Sequence, residues 1–279
     1  MFSDKNVAFI GSGIMGEAII RGLLTQNIVK PEQIYAADPL QARLDDLRER
    51  YGIHVTGDNS EAAEAGQVIV LSTKPQNLAE VMPGIRGHLR RQDLLLSILA
   101  GTPIRKLADG VAHASVVRAM PNTPAQIGQG MTVWTSTPEV TDEQRGQAQV
   151  ILAALGQELY VNDESYLDMA TALSGTGPAY IFMFMESLID AGVHLGFPRR
   201  VAEQLVFQTM RGSLEYAAQS NKHVAELRNQ VTSPGGTTAA ALYQMEKGGL
   251  RTVISRAIWA AYQRSVELGQ GEKVKGPNQ

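Results

Sequence analysis

Near its start the chain carries a pattern that few folds can accommodate. A short apolar run, Val7-Ala8-Phe9-Ile10, leads straight into Gly11-Ser12-Gly13-Ile14-Met15-Gly16, and a helical pattern follows from Glu17 to Leu24. By itself a G-x-G-x-x-G spacing says little. Between a strand and a helix it predicts the first turn of a βαβ unit. There the glycines let the backbone turn tightly and approach a pyrophosphate resting on the helix N-terminus. Gly11, Ser12, Gly13, Ile14, Met15 and Gly16 are therefore the expected seat of a dinucleotide. The competing reading is a turn that only packs helix on strand.

The rest of the first half fits that unit. Ile34–Ala37, Val68–Ser72, Leu94–Leu99, Ser115–Arg118, Met131–Thr135 and Glu158–Val161 read as further strands. Helical patterns lie between them, clearest in Pro39–Tyr51, and one begins at Thr141 with Gln144 as its capping-box partner. Alternating strands and helices predict a parallel sheet covered on both faces. In such a sheet the ligand lies outside the carboxyl ends of the strands. Ser72, Thr73, Lys74 and Pro75 after one strand, and Leu99, Ala100 and Gly101 after another, are thus the expected walls of the cofactor site. Lys74 either points at the cofactor or is an exposed loop lysine. Pro121-Asn122-Thr123-Pro124 reads as a rigid turn.

Asp38 closes the second strand, 22 residues past Gly16. A carboxylate there accepts hydrogen bonds from the adenosine ribose and repels a 2′-phosphate, which favours NADH. Asp38 also suits a helix cap, with Pro39 at the first helical position, and the two roles can coexist. Arg43 lies within reach of the same pocket and could offset a 2′-phosphate charge.

From about Glu164 the strand-like runs stop. Helical patterns cover Pro178–Gly192, Pro198–Gln219, His223–Val231, Thr237–Lys247 and Arg251–Leu268. The first is apolar nearly all round, from Tyr180 to Met185, and such a helix must be buried on every side. A domain of about 110 residues rarely has an interior that deep, so a partner subunit is expected to cover part of it. The plainer alternative is a central helix in a monomeric bundle. Two clusters, Ser174-Gly175-Thr176-Gly177-Pro178 and Ser233-Pro234-Gly235-Gly236-Thr237-Thr238, precede helices. Each is expected to present free N–H groups and hydroxyls suited to a carboxylate, unless it is an ordinary cap.

Composition narrows the chemistry. Lys plus Arg number 25 against 28 Asp plus Glu, a net charge of −3 that argues against nucleic-acid binding. The absence of cysteine excludes disulfides, thiolate metal sites and a cysteine nucleophile, and fits a cytoplasmic protein. No signal pattern opens the chain. The longest uncharged stretch, Met169 to Met185, is broken by Ser174–Pro178 and falls short of the roughly 20 apolar residues of a bilayer span. A soluble protein without membrane segments is expected. The five histidines have neither metal-ligand nor triad spacing, so no metal is expected. The helix from Pro178 has no Lys, Arg or His before His194. A dehydrogenase acting on an alcohol needs a base, whereas a protonated cyclic imine is simply discharged by hydride.

These motifs, together with Arg118-Ala119-Met120-Pro121-Asn122-Thr123-Pro124, Leu173–Tyr180 and Val231–Thr238, resemble pyrroline-5-carboxylate reductase over nearly the whole chain, Val7 to Leu268. The resemblance implies reduction of L-1-pyrroline-5-carboxylate to L-proline with NADPH or NADH, the last step of proline biosynthesis. It implies an α/β N-terminal Rossmann-type domain with a mostly parallel sheet (1–163) and an all-α C-terminal dimerisation and substrate-binding domain (164–269). A flexible tail (270–279) would follow. It implies a homodimer, in some members a larger ring of dimers, with the substrate between the nicotinamide and the partner's Ser-Pro-Gly-Gly loop. Carried over by motif, Ser233, Gly235, Gly236, Thr237 and Thr238 hold the carboxylate, and Thr238, as the catalytic residue, hydrogen-bonds the ring nitrogen. Gly11 to Gly16, Asn59, Lys74 and Leu99 to Gly101 line the cofactor site. Many members have polar or basic residues where this chain has Asp38-Pro39. A β-hydroxyacid-type dehydrogenase is the alternative enzyme, but it wants a lysine on the central helix. A catalytically silent dinucleotide-binding oligomer is the alternative outside catalysis.

Overall fold

The computed structural model describes residues 2–270. By packing they form two compact units, one of residues 2–176 with 261–270 and one of residues 177–260.

The first unit is built on eight strands: β1 (Val7–Ile10), β2 (Ile34–Ala37), β3 (His54–Thr56), β4 (Val68–Leu71), β5 (Leu94–Ser97), β6 (Val116–Met120), β7 (Gly130–Ser136) and β8 (Gly156–Tyr160). They form one sheet in the order β3-β2-β1-β4-β5-β6-β7-β8. All neighbours pair in parallel except β6 with β7. Strands β1, β4 and β5 are buried along their whole length, as expected where helices cover both faces. Alternate residues sort into two apolar layers. Val7, Phe9, Val68, Val70, Leu94 and Leu96 pack on one face with Ile19 and Leu23 of α1 (Ile14–Thr25). Leu47 of α2 (Gln41–Tyr51) joins that layer, while the opposite layer joins Ile10, Ile69 and Leu71 to three helices. They are α3 (Asn59–Ala65), α4 (Leu78–Ile85) and α5 (Ile104–Val111).

The capping box read at Thr141 is present: Gln144 N donates to Thr141 Oγ1 at 3.2 Å and Thr141 N to Gln144 Oε1 at 2.9 Å, opening α6 (Asp142–Ala153). β3 escaped the sequence reading. It is a three-residue edge strand whose exposed His54 stacks on Tyr35 at 4.5 Å, too short to show a period.

Buried Arg118 on β6 ties this unit together. Its guanidinium pairs with Glu164 at 2.7 Å and with Asp168 of α7 (Ser165–Ala170) at 3.3 Å. Asp168 also accepts the Ser265 hydroxyl at 2.8 Å, and Glu164 accepts Ile104 N at 2.7 Å. The turn at Pro121–Pro124 is a brace: Asn122 donates to Ser174 O at 3.1 Å and accepts from Met131 N at 2.9 Å.

The second unit holds α8 (Gly177–His194), α9 (Arg199–Gln219), α10 (Val224–Gln230), α11 (Thr237–Lys247) and most of α12 (Leu250–Gln270). α8 and α9 approach closely where Gly192 faces Ala202, leaving 3.1 Å for a Cβ. Of its described residues only Ile189, Ala202 and Leu227 are buried. Phe182 and Met183, on the helix expected to be covered all round, are 60% and 70% exposed in the single chain. The expected flexible tail, past Gln270, lies outside the described residues. Gln270 itself ends α12. No helix among the described residues is long and apolar enough to cross a membrane.

Candidate active site

The strand registers set the cradle in the first unit. Ile10 pairs with both Ala37 and Leu71, and Leu71 with Ser97, so four strands end at one level. The chain runs outward from β1 to β2 and β3, then returns to β4 on the other side of β1. That reversal is the switch point at which open α/β sheets bind ligands.

Three glycines there do different work. Gly11 has φ +85°, and a Cβ on it would lie 2.8 Å from the Thr73 backbone. Its N–H donates to Ala37 O at 3.0 Å and its carbonyl accepts the Ser72 hydroxyl at 2.6 Å. Gly16 packs α1 down, since a Cβ would meet Gly11 O at 2.9 Å and Ser72 Oγ at 3.0 Å. Gly13 is the N-cap of α1 with no side-chain cap, and a Cβ there meets nothing within 4 Å. The first bond of α1 runs from Glu17 N to Gly13 O. The N–H groups of Ile14, Met15 and Gly16 precede it and have no intrahelical partner. An open, uncapped helix start beside a Cβ-free position fits a pyrophosphate.

Asp38 departs from its expected cap. The helix begins at Gln41, not Pro39, because the carboxylate is used by the turn before it. Oδ1 accepts from Leu40 N and Oδ2 from Ser12 N, both at 3.0 Å. Asp38 therefore caps a turn and holds the glycine loop. Arg43 is bound into the same loop, donating from Nε to Ser12 O at 2.8 Å. It pairs with Glu17 at 2.5 Å and Asp46 at 3.0 Å. Glu17 also accepts the Tyr51 hydroxyl at 2.7 Å and pairs with Arg50 at 2.7 Å. Burial alone would raise the Glu17 pKa, but the hydrogen bonds from Arg43 and Tyr51 and the charges of Arg43 and Arg50 prevail and hold it at about 2. This clamp was not legible in the sequence, because its partners lie 26 and 34 residues apart.

The remaining expected residues sit in neighbouring turns. Ser72 and Thr73 touch Gly11 directly. Lys74 is exposed and caps a short turn at Pro75–Asn77. Leu99 is buried, Ala100 half-buried, and Gly101 takes φ +61° where a Cβ would lie 2.9 Å from Leu268 Cβ. Half-buried Asn59 opens α3 behind the cap Asp58.

The second unit carries the other cluster that the sequence singles out. Gly236 is the N-cap of α11 with no side-chain cap. The first intrahelical bond is from Ala240 N to Gly236 O, so the N–H groups of Thr237, Thr238 and Ala239 stand ahead of it. Gly236 N–H itself is taken by Ser233 O at 3.1 Å, which moves the donor set one step into the helix. Gly235 has φ +70° in open space, and Ser233 Oγ would lie 2.4 Å from a Cβ at Gly236. Thr238 is half-buried in the first turn.

The cluster expected at Ser174–Pro178 is different. Thr171–Gly175 form a π-helical turn. Ser174 Oγ donates to Ala170 O at 3.0 Å, and both the N–H and hydroxyl of Thr176 donate to Thr171 O at 2.8 Å. Hydroxyls so engaged bond to their own helix. The hydroxyls of this cluster are thus spent on its own backbone.

Fold and cradle define a nicotinamide-dinucleotide oxidoreductase. Residues 6–101 match the family model described as NADP oxidoreductase, coenzyme F420-dependent, and residues 164–268 match pyrroline-5-carboxylate reductase dimerisation. The chain is 40% identical to pyrroline-5-carboxylate reductase of Synechocystis, covering 95% of this chain and 98% of that protein. It is 39% identical to that of Pseudomonas aeruginosa over 96% and 98%. The structure of Plasmodium falciparum pyrroline carboxylate reductase with NADP bound superposes with a TM-score of 0.88 at 33% identity, covering 96% of this chain and 100% of that one. The chain belongs to the pyrroline-5-carboxylate reductase family, and its cofactor is NAD(P)H.

Three variants at the cradle should behave differently. Gly13→Val should fold normally yet weaken NADH and NADPH binding together, measured by titration, because its side chain fills the open space. Gly16→Val should instead lower the melting temperature, since its side chain meets backbone. Glu17→Gln should lower stability at neutral pH by about 1–2 kcal/mol. A folded-state pKa of about 2 against an ordinary 4.5 means that this contribution is complete above pH 4.5 and fades as pH falls toward 2. Denaturation of both proteins across that range should show the difference closing.

Proposed function

We infer that this chain reduces L-1-pyrroline-5-carboxylate to L-proline with NAD(P)H, the last step of proline biosynthesis. The observation that carries this reading is the start of α11: an uncapped helix N-terminus with a threonine hydroxyl in its first turn. A cyclic imino acid presents a carboxylate and a ring nitrogen a short distance apart. The N–H groups of Thr237, Thr238 and Ala239, aided by the helix dipole, suit the carboxylate. Ser233, Gly235 and Gly236 shape the turn that leaves them open. The Thr238 hydroxyl accepts the N–H of the protonated imine, or donates to the nitrogen of the neutral one. Nicotinamide, when bound, supplies the hydride. Holding the reacting groups in place does most of the rest, with no strong base required. Gly11–Gly16, Asp38, Asn59, Ser72–Pro75 and Leu99–Gly101 form the coenzyme seat in this reading.

The test is direct: purified protein mixed with L-1-pyrroline-5-carboxylate and NADH or NADPH should consume reduced nicotinamide. No turnover with either coenzyme would overturn the assignment and favour a silent dinucleotide-binding oligomer. Thr238→Ala should lower kcat by about 10- to 1000-fold, with coenzyme affinity nearly unchanged and Thr238→Ser largely active. Normal turnover in Thr238→Ala would reduce this residue to a helix position.

The working form we propose is a homodimer in the cytoplasm, with rings of dimers as an extension of it. The exposed Phe182, Met183, Leu214 and Trp259 support the dimer, because apolar surface of that extent marks an interface. Sedimentation at micromolar concentration should find a dimer or a larger species, and an active monomer would contradict it. Phe184→Glu should impair folding and association together.

A further inference from the structure

The end of β2 carries information about which coenzyme is bound. The group at that position meets the adenosine ribose: a carboxylate suits a free 2′-hydroxyl, and a 2′-phosphate needs a cation. Asp38 is fixed there by Ser12 N and Leu40 N, at 3.0 Å each, and is half-buried. Both bonds come from backbone, so the carboxylate stays in place, and each oxygen keeps a lone pair for a hydroxyl donor. A phosphate brought to the same point would meet a fixed negative charge.

The two arginines of the Glu17 cluster are already engaged. Arg43 uses Nε on Ser12 O, one terminal nitrogen on Glu17 and the other on Asp46, with its side chain 21% exposed. Arg50 is shared between Asp46 and Glu17 at 3.1 and 2.7 Å. Glu17, 16% exposed, lies at the centre of this cluster. It holds Arg43 against the glycine loop without touching the ribose position.

We propose that this chain prefers NADH to NADPH, that Asp38 sets the preference, and that Glu17 maintains it as a positioning residue by withholding Arg43 from a 2′-phosphate. The proposal rests on the glycine loop being the coenzyme seat.

Equilibrium titration of the full-length protein with each reduced coenzyme, at one fixed salt concentration and without substrate, tests it. NADH should bind about tenfold more tightly, the worth of one charge-assisted hydrogen bond and one avoided repulsion. Equal affinities, or tighter NADPH, overturn the proposal with no variant needed. Failure of both coenzymes to bind overturns the seat assignment itself, and this inference with it. Asp38→Ser should weaken NADH and tighten NADPH, whereas an equal loss of both would make Asp38 a loop brace only. Adenosine 2′,5′-bisphosphate serves as a probe of the 2′-phosphate subsite without nicotinamide. Glu17→Gln should raise its affinity relative to that for adenosine 5′-monophosphate about fivefold over the parent chain, whatever loss a looser glycine loop imposes on both. No change in that ratio removes Glu17 from the proposal.

Discussion

The site depends on how closely two pieces of backbone can approach. Where β1 ends, Gly11 lies against Thr73 at the end of β4 with no room for a side chain, and Ser72 locks the pair through the Gly11 carbonyl. That contact turns the chain sharply enough for α1 to start over the strand ends. Gly16 completes it by letting the helix rest on Gly11 and Ser72. Every group in the cradle takes its position from this junction. The junction in turn rests on the register that ends β1, β2, β4 and β5 at one level.

The loop is also held from its other side. Asp38 takes the Ser12 N–H and Arg43 takes the Ser12 carbonyl, so one residue of the fingerprint is gripped at both peptide groups. A loop held this way is ordered before any ligand arrives, and ordering is a large part of what binding costs. Preorganisation and the proposed coenzyme discrimination thus share side chains, which makes Asp38 and Glu17 hard to exchange.

Much of this was legible in the sequence because it is local. β1 and β2 match β-branched and small apolar runs to the residue, and the glycine fingerprint, the Thr141 box and the start of α11 follow from spacing within their local context. What escaped is non-local or too short. β3 has three residues and an exposed edge. Pro39 looked like a first helical residue, but tertiary demand on the Asp38 carboxylate from Ser12 moved the helix start to Gln41. Ser174–Pro178 has the composition of a helix start with free hydroxyls, yet the preceding helix continues into it as a π turn whose hydroxyls bond backward. Composition suggests a break there, and hydrogen-bond satisfaction overrules it.

The grip on Arg118 also bears on the order in which the chain takes shape during synthesis. This arginine stands on a central strand, but its counter-charges Glu164 and Asp168 emerge 46 and 50 residues later. The hydroxyl that steadies Asp168 belongs to Ser265, near the end of the last helix. Leu268, on that helix, closes over Gly101. A nascent sheet can therefore collapse early around its two apolar layers, but its buried charge stays uncompensated until later segments leave the ribosome. The unit that opens with β1 is finished by α12.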